Sequence, residues 1–264
     1  MVSFDFKDRY NIDDLLRILE ILRSPEGCPW DKVQTHESIR TDLIEETYEV
    51  CEGIDKDSPE MLREELGDLL LQIVFHAQIE REKGTFDFDD VCNDICQKLV
   101  YRHPHVFGEV KADNCDEVLK NWDALKRESK HQDNFTDTLE SVPKNFPALL
   151  RGEKICKRAS RAGLPINDPA EYAARIREKL DMLEKAGFEV NSQNQQTYGD
   201  MLLDFCNLDR ILKIDGEKAL TYSTNKFIID FSAVEKKAQE QGKKLDEMSE
   251  EELRALMNKV FDGR

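Results

Sequence analysis

An all-α fold built from two tandem helical units is the architecture this sequence predicts, and three observations carry it. Apolar residues recur at the helical period along most of the chain, and strand alternation is nearly absent. The order of segments in the first half returns in the second. At 264 residues, the chain is comfortable for two domains of ordinary size.

Over residues 11–23, Ile12, Leu15, Leu16, Ile18, Leu19 and Leu22 share one helical face, and Ser24-Pro25-Glu26-Gly27 reads as the turn that ends it. A second helix is predicted over about 37–54. The third opens at Ser58-Pro59, with serine as N-cap and proline at the first helical position, where its missing N–H is harmless, and runs to about Lys83. A fourth starts near Asp89 and stops before Pro104, and a fifth spans about 115–130. Residues 131–147 are polar, contain Pro143 and Pro147 and hold no sustained apolar period, so they are expected to link a domain at 1–130 to one at 148–264. In the second domain, residues 175–185 are similar to the second helix. Tyr198-Gly199-Asp200-Met201-Leu202-Leu203 matches Leu66-Gly67-Asp68-Leu69-Leu70-Leu71, and Asn225-Lys226-Phe227 matches Gln97-Lys98-Leu99.

Hydrophobic residues are 39% and charged residues 35%, enough for a core beneath wide solvated helix faces. The formal charge of −17 repels phosphate backbones and anionic lipid, which argues against nucleic-acid and membrane partners. No run approaches the roughly 18 apolar residues of a membrane span, and MVSFDFKDRY lacks the features of a signal peptide, so a cytoplasmic location is expected. Seven cysteines fit reduced thiols better than a disulfide framework. Cys92 and Cys96 with His103 and His105 suggest zinc only weakly, because no CxxC pair exists.

The acids carry more information. At about 100° per residue, Leu43, Ile44, Thr47, Val50, Cys51 and Ile54 fall on one face of the second helix. Glu46 and Glu49 sit at its border, whereas Glu45 and Glu52 point to the opposite, solvated side. Leu66, Leu69, Leu70, Leu71, Ile73, Val74, Phe75, Ala77 and Ile79 surround nearly the whole circumference of the third helix, which is therefore expected to be buried. Glu65, Asp68, Gln72 and His76 form one narrow polar stripe within that surface. An unpaired carboxylate there costs several kcal/mol, so the stripe calls for a cation or a hydrogen-bonding network. Hard oxygen donors without thiols select Mg²⁺ or Mn²⁺ over zinc, and such ions would let four carboxylates accept a polyanion. In most acidic helical proteins, however, EExxE followed by EExxD is only a solvated face.

At these residues the sequence resembles the MazG family of nucleoside triphosphate pyrophosphohydrolases. The metal motifs of that family stand here as Glu46-Thr47-Tyr48-Glu49 and Glu65-Leu66-Gly67-Asp68. The flanking strings Cys28-Pro29-Trp30-Asp31-Lys32-Val33-Gln34-Thr35-His36 and Tyr101-Arg102-His103-Pro104-His105-Val106-Phe107-Gly108 are also similar. The resemblance is strong over residues 10–130 and reduced beyond. It implies four-helix-type units that dimerise, Mg²⁺-assisted attack of water at phosphorus with release of pyrophosphate, and Glu46, Glu49, Glu65 and Asp68 as metal-binding catalytic acids. It also implies nucleotide contacts at Lys98, Arg102, Trp122 and Lys126. Lys98 and Arg102 are one turn apart and suit phosphate, and Trp122 suits a base, though each could instead ride a solvated face or join the core. No role follows for Trp30, Asp31 or Lys32.

The second half departs from this pattern. Aligning the repeats places Lys179 at Glu46, Met182 at Glu49 and Thr197 at Glu65, with only Asp200 in register with Asp68. Asp230, Met257 and Phe261 replace Arg102, Trp122 and Lys126, so residues 148–264 are expected to be a degenerate unit with a structural or dimerisation role. The competing reading is a non-catalytic helical binding or scaffold protein. A di-iron bundle would need two ExxH motifs where this chain has one, Glu128 to His131, and a P-loop is excluded by the missing GxxxxGK[ST] string.

Overall fold

The computed structural model describes residues 4–110 and 134–261, together with 114, 118, 122 and 125. These residues form helices, 3₁₀ turns and their connections with no strand among them, so the all-α class holds. The chain divides into two compact units, residues 1–126 and 127–264. The first contains α1 (Ile12–Arg23), a 3₁₀ turn (Asp31–Val33), α2 (Arg40–Asp55), α3 (Pro59–Lys83), α4 (Phe88–Arg102) and a short α5 (Pro104–Phe107). The expected fifth helix lies mostly outside the described residues, but Val118, Trp122 and Leu125 are helical.

Local chemistry sets these boundaries. Asn11 and Asp14 form a capping box at α1, Ser58 caps α3 with Pro59 inside its first turn, and Asp87 and Asp90 box the start of α4. Residues 36–39 make a separate turn, so α2 begins at Arg40, later than expected. Thr35 and Ser38 brace that turn by exchanging side-chain and backbone hydrogen bonds. After α1 the chain folds back so closely that a Cβ on Gly27 would lie 2.2 Å from the Ile21 carbonyl oxygen, which leaves glycine as the residue that fits.

The core of the first unit forms where the apolar face of α1 meets the C-terminal half of α3. Leu19, Ile39, Val74, Phe75 and Ile79 are buried together, with Leu15, Leu16, Leu22, Leu70, Leu71 and Phe88 packed around them. Arg23, half-buried as a residue but with its side chain nearly enclosed, ties this core to the next segment. It grips Glu82 through two 2.8 Å bonds, donates to the carbonyls of Asp31 and Gln34, and lies over the Phe75 ring.

Two expectations are corrected by this packing. The α3 helix is not buried all round, because α1 and α2 cover only part of its circumference, and Leu66 and Ile73 remain 49% and 40% exposed. On α2 the face toward α3 is Leu43, Glu46, Val50 and Gly53, whereas Ile44, Thr47, Cys51 and Ile54 turn outward. Gly53 marks a close approach, since a Cβ there would stand 3.1 Å from the backbone of Leu62.

The second unit comprises α6 (Phe135–Glu140), α7 (Ala148–Arg161), α8 (Pro169–Lys185), α9 (Ser192–Leu212), α10 (Gly216–Glu240), a 3₁₀ turn (Leu245–Glu247) and α11 (Glu250–Phe261). Both α7 and α8 pack along α9, and Val234, Ala238, Leu256 and Val260 knit α10 to α11. Part of the segment read as a linker is structured here. Asn134 and Asp137 box the start of α6, Val142 is fully buried, and Arg158 donates to the Thr138 carbonyl and the Ser141 hydroxyl. The polar composition that suggested a linker is instead used for caps.

Truncating the best-buried residue of α1 tests the α1–α3 core. Leu19→Ala should destabilise the first unit by about 3 kcal/mol, read as a lower urea midpoint with an unchanged slope.

Candidate metal centre

The seam between α2 and α3 positions the acids. Glu46 projects from the α2 face that packs on α3, Glu49 follows one turn later, and Glu65 faces them from the first half of α3. One carboxylate oxygen from each of the three lies within 4.8 Å of the others. Burial raises the Glu46 carboxyl from its ordinary 4.5, and the charges of Asp68, Glu49 and Glu65 add to that rise. Burial likewise raises Glu65, reinforced by Glu49, Glu64 and Asp68. Asp68 is solvent-exposed and stands outside the tight trio, yet its charge acts on both Glu46 and Glu65.

Three hard oxygen donors from two helices, with no thiol or imidazole among them, suit a divalent ion of the Mg²⁺ or Mn²⁺ type. The raised carboxyls agree with this, because partial burial first and the neighbouring like charges second disfavour their ionised forms, and a cation would offset both.

Further along the α3 stripe the polar groups sink into the core. Gln72 is buried, and His76 stacks on His36 with ring centroids 5.0 Å apart and Nδ1 atoms 2.7 Å apart. His36 Nε2 lies 2.6 Å from Glu80 Oε1, and Glu80 also accepts from Lys83 and Thr85. His36 and Glu80 were given no role by sequence reasoning. Forty residues separate the two histidines, and the only available signal was the Gln34-Thr35-His36 string itself.

Of the residues matched to nucleotide contacts, Lys98 is exposed on α4, and Arg102, one turn later, places its guanidinium 5.5 Å from the centroid of the half-buried Trp122 ring. Lys126 lies outside the described residues.

In the second unit, the acid-to-lysine change at Lys179 has a structural counterpart. Lys179 on α8 donates to Asp204 on α9, whose side chain is almost fully buried, and Arg175 contacts the same carboxylate at 3.0 Å. Thr197 bonds back to the Gln193 carbonyl of its own helix, and Asp200 accepts from Gln196. No trio of potential metal ligands occurs among the described residues of this unit.

Residues 34–107 match the family described as the MazG nucleotide pyrophosphohydrolase domain. The chain is 40% identical to the nucleoside triphosphate pyrophosphohydrolase/pyrophosphatase MazG of Thermotoga maritima, over 95% of this chain and 96% of that protein. It is 41% identical to the nucleoside triphosphate pyrophosphohydrolase of Escherichia coli strain K12, over 85% and 87% of the respective lengths. A protein of the same name from Mycolicibacterium smegmatis is 37% identical over 58% of this chain and 47% of its own length.

Two outcomes follow from the charges. A carboxyl raised by folding binds its proton more tightly in the folded chain, so stability falls as pH rises from the ordinary carboxylate value through the raised one, and the ionised form is a burden at neutrality. Glu46→Gln should therefore raise the melting temperature of the metal-free protein at neutral pH, with the gain vanishing below about pH 4, as followed by circular dichroism. Lys179→Met should cost about 2 kcal/mol in chemical denaturation, less than a fully orphaned buried charge because Arg175 stays on Asp204.

Proposed function

This chain belongs to the MazG nucleotide pyrophosphohydrolase family, and we propose that it hydrolyses nucleoside triphosphates to a nucleoside monophosphate and pyrophosphate at one Mg²⁺-assisted site in its first unit. The observation that carries this reading is the convergence of Glu46, Glu49 and Glu65 within 4.8 Å across the α2–α3 seam. Glu46, Glu49 and Glu65 would hold divalent ions there, with Asp68, exposed at the rim, as a further ligand. Such ions would supply charge neutralisation for the triphosphate oxygens and lower the pKa of a bound water. Because Glu46 and Glu65 sit on two packed helices, the seam would keep the metal ligands in one arrangement relative to a bound substrate.

Lys98, Arg102, Trp122 and Lys126 are assigned to the nucleotide. The Arg102 guanidinium over Trp122 offers a stacked cationic platform, on which a base meets the ring and a phosphate oxygen meets the fork of donors. The second unit is read as a degenerate copy. Lys179, at the place of Glu46, is paired with Asp204 together with Arg175, and Met182 and Thr197 offer no carboxylate where Glu49 and Glu65 stand. Its role is structural or in self-association. Ile44, Ile54, Leu66 and Ile73, apolar and exposed on α2 and α3, support a homodimer in which a second copy covers them. No described helix is long and apolar enough to cross a membrane.

The test is pyrophosphate release from nucleoside triphosphates with and without Mg²⁺. Glu49→Ala should lower kcat/KM by about a hundredfold or more, as expected when a group that holds transition-state charge is removed. Asp200→Ala, in the second unit, should leave turnover unchanged, and a large loss there would overturn the single-site assignment.

A further inference from the structure

Two buried polar atoms on the α3 stripe have no hydrogen-bond partner, Gln72 Oε1 and His76 Nε2. They belong to residues one helical turn apart, on the line that begins with Glu65 and Asp68. Hydrogen bonds from Lys83, Thr85 and His36 hold the Glu80 carboxyl down to about 2, so near neutrality its oxygens only accept. His36 Nε2 therefore donates to Glu80. In a neutral His36 the bare nitrogen is then Nδ1, and the facing Nδ1 of His76 must donate to it. His76 Nε2 is left as a buried lone pair, and Gln72, one turn away, presents its Oε1 without a partner.

One added proton changes this. Two N–H groups cannot face each other across the 2.7 Å Nδ1 contact, so whichever ring carries the charge, the extra hydrogen resides on His76 Nε2. The pair holds one extra proton and no second one while that contact lasts. His76 Nε2 then becomes a donor on the turn next to the Gln72 acceptor. Burial, aided by the neighbouring His36, pushes the His76 imidazole below its ordinary 6.5. The charged groups around the pair are Glu37, which senses His36, and Glu80 and Lys83 on α3. From α1 comes Arg23, which donates to the Gln34 carbonyl beside His36 and is engaged by Glu82.

The geometry points to His36 and His76 as positioning residues for the metal-binding carboxylates, a single-proton latch between the turn that leads into α2 and the α3 stripe that carries Glu65 and Asp68. This rests on the Mg²⁺ reading above. His36 lies in the turn immediately before Arg40, so its grip on α3 sets the register of Glu46 and Glu49 against Glu65. The protonated latch places a positive charge about 12 Å along the helix from Asp68, close enough in a partly buried setting to oppose a dication.

Imidazole ¹⁵N NMR of the metal-free full chain, titrated from about pH 8 to 4.5, should show the two rings responding together as one group that takes up a single proton. Two independent one-proton titrations would overturn the latch. Calorimetric Mg²⁺ binding at about pH 7.5 and 5.5 provides the second arm. Affinity in the wild type should fall about fivefold more than in His76→Gln. Glu46 and Glu65 titrate in both proteins, so the difference isolates the pair, and restoration of the wild-type slope by no variant but His76 itself marks the proton rather than packing. Equal slopes overturn the coupling alone, whereas a wild type that binds no Mg²⁺ at the higher pH overturns the metal reading as well. Should His76→Gln fail to fold, His36→Gln takes its place in the same comparison.

Discussion

Mutual repulsion among Glu46, Glu49 and Glu65 is the constraint to which the first unit is built. Like charges at this separation part unless the backbone forbids it or a cation intervenes. The backbone answer is visible in the seam. Gly53 lets α2 settle onto the Leu62 backbone, the short connection through Ser58 turns the chain directly into α3, and Leu43 and Val50 fill the space beside the acids. The helices hold their carboxylates together at an electrostatic cost, which is the usual signature of a site shaped for something it binds.

Support for that seam comes from the opposite end of α3. Arg23 gathers the end of α1, the Asp31–Gln34 segment and Glu82 into one knot, and His36 continues it to His76 and Glu80. The stretch between α1 and α2 has little regular structure of its own, yet it is bonded at several points to a helix that the core already immobilises. The start of α2 is therefore fixed by polar contacts and its end by close backbone packing.

Much of this was legible in the sequence because it is periodic. The all-α class, the capped start of α3, and the separation of Glu46 and Glu49 from Glu45 and Glu52 all follow from helical spacing and local capping chemistry. What escaped depends on partners distant in the chain. Apolar residues lie on more than one side of α2, and a wheel cannot tell that Gly53, rather than Ile54, marks the inward face. The apolar girth of α3 suggested complete burial, but only its second half is enclosed by α1. His36 with His76, Arg23 with Glu82 and Lys179 with Asp204 are long-range pairs, and a single sequence carries no sign of them. The short α6 was hidden because its stabilising residues, Asn134 and Asp137, are the same types that mark loops.

The ammonium of Lys179 is covalently part of its helix, unlike an ion drawn from solution. A tethered counter-charge has a fixed stoichiometry and no dissociation constant, so the α8–α9 pair is indifferent to chelators and to swings in cellular magnesium. The α2–α3 pair has no such tether among its converging side chains, since Glu46, Glu49 and Glu65 are all acids.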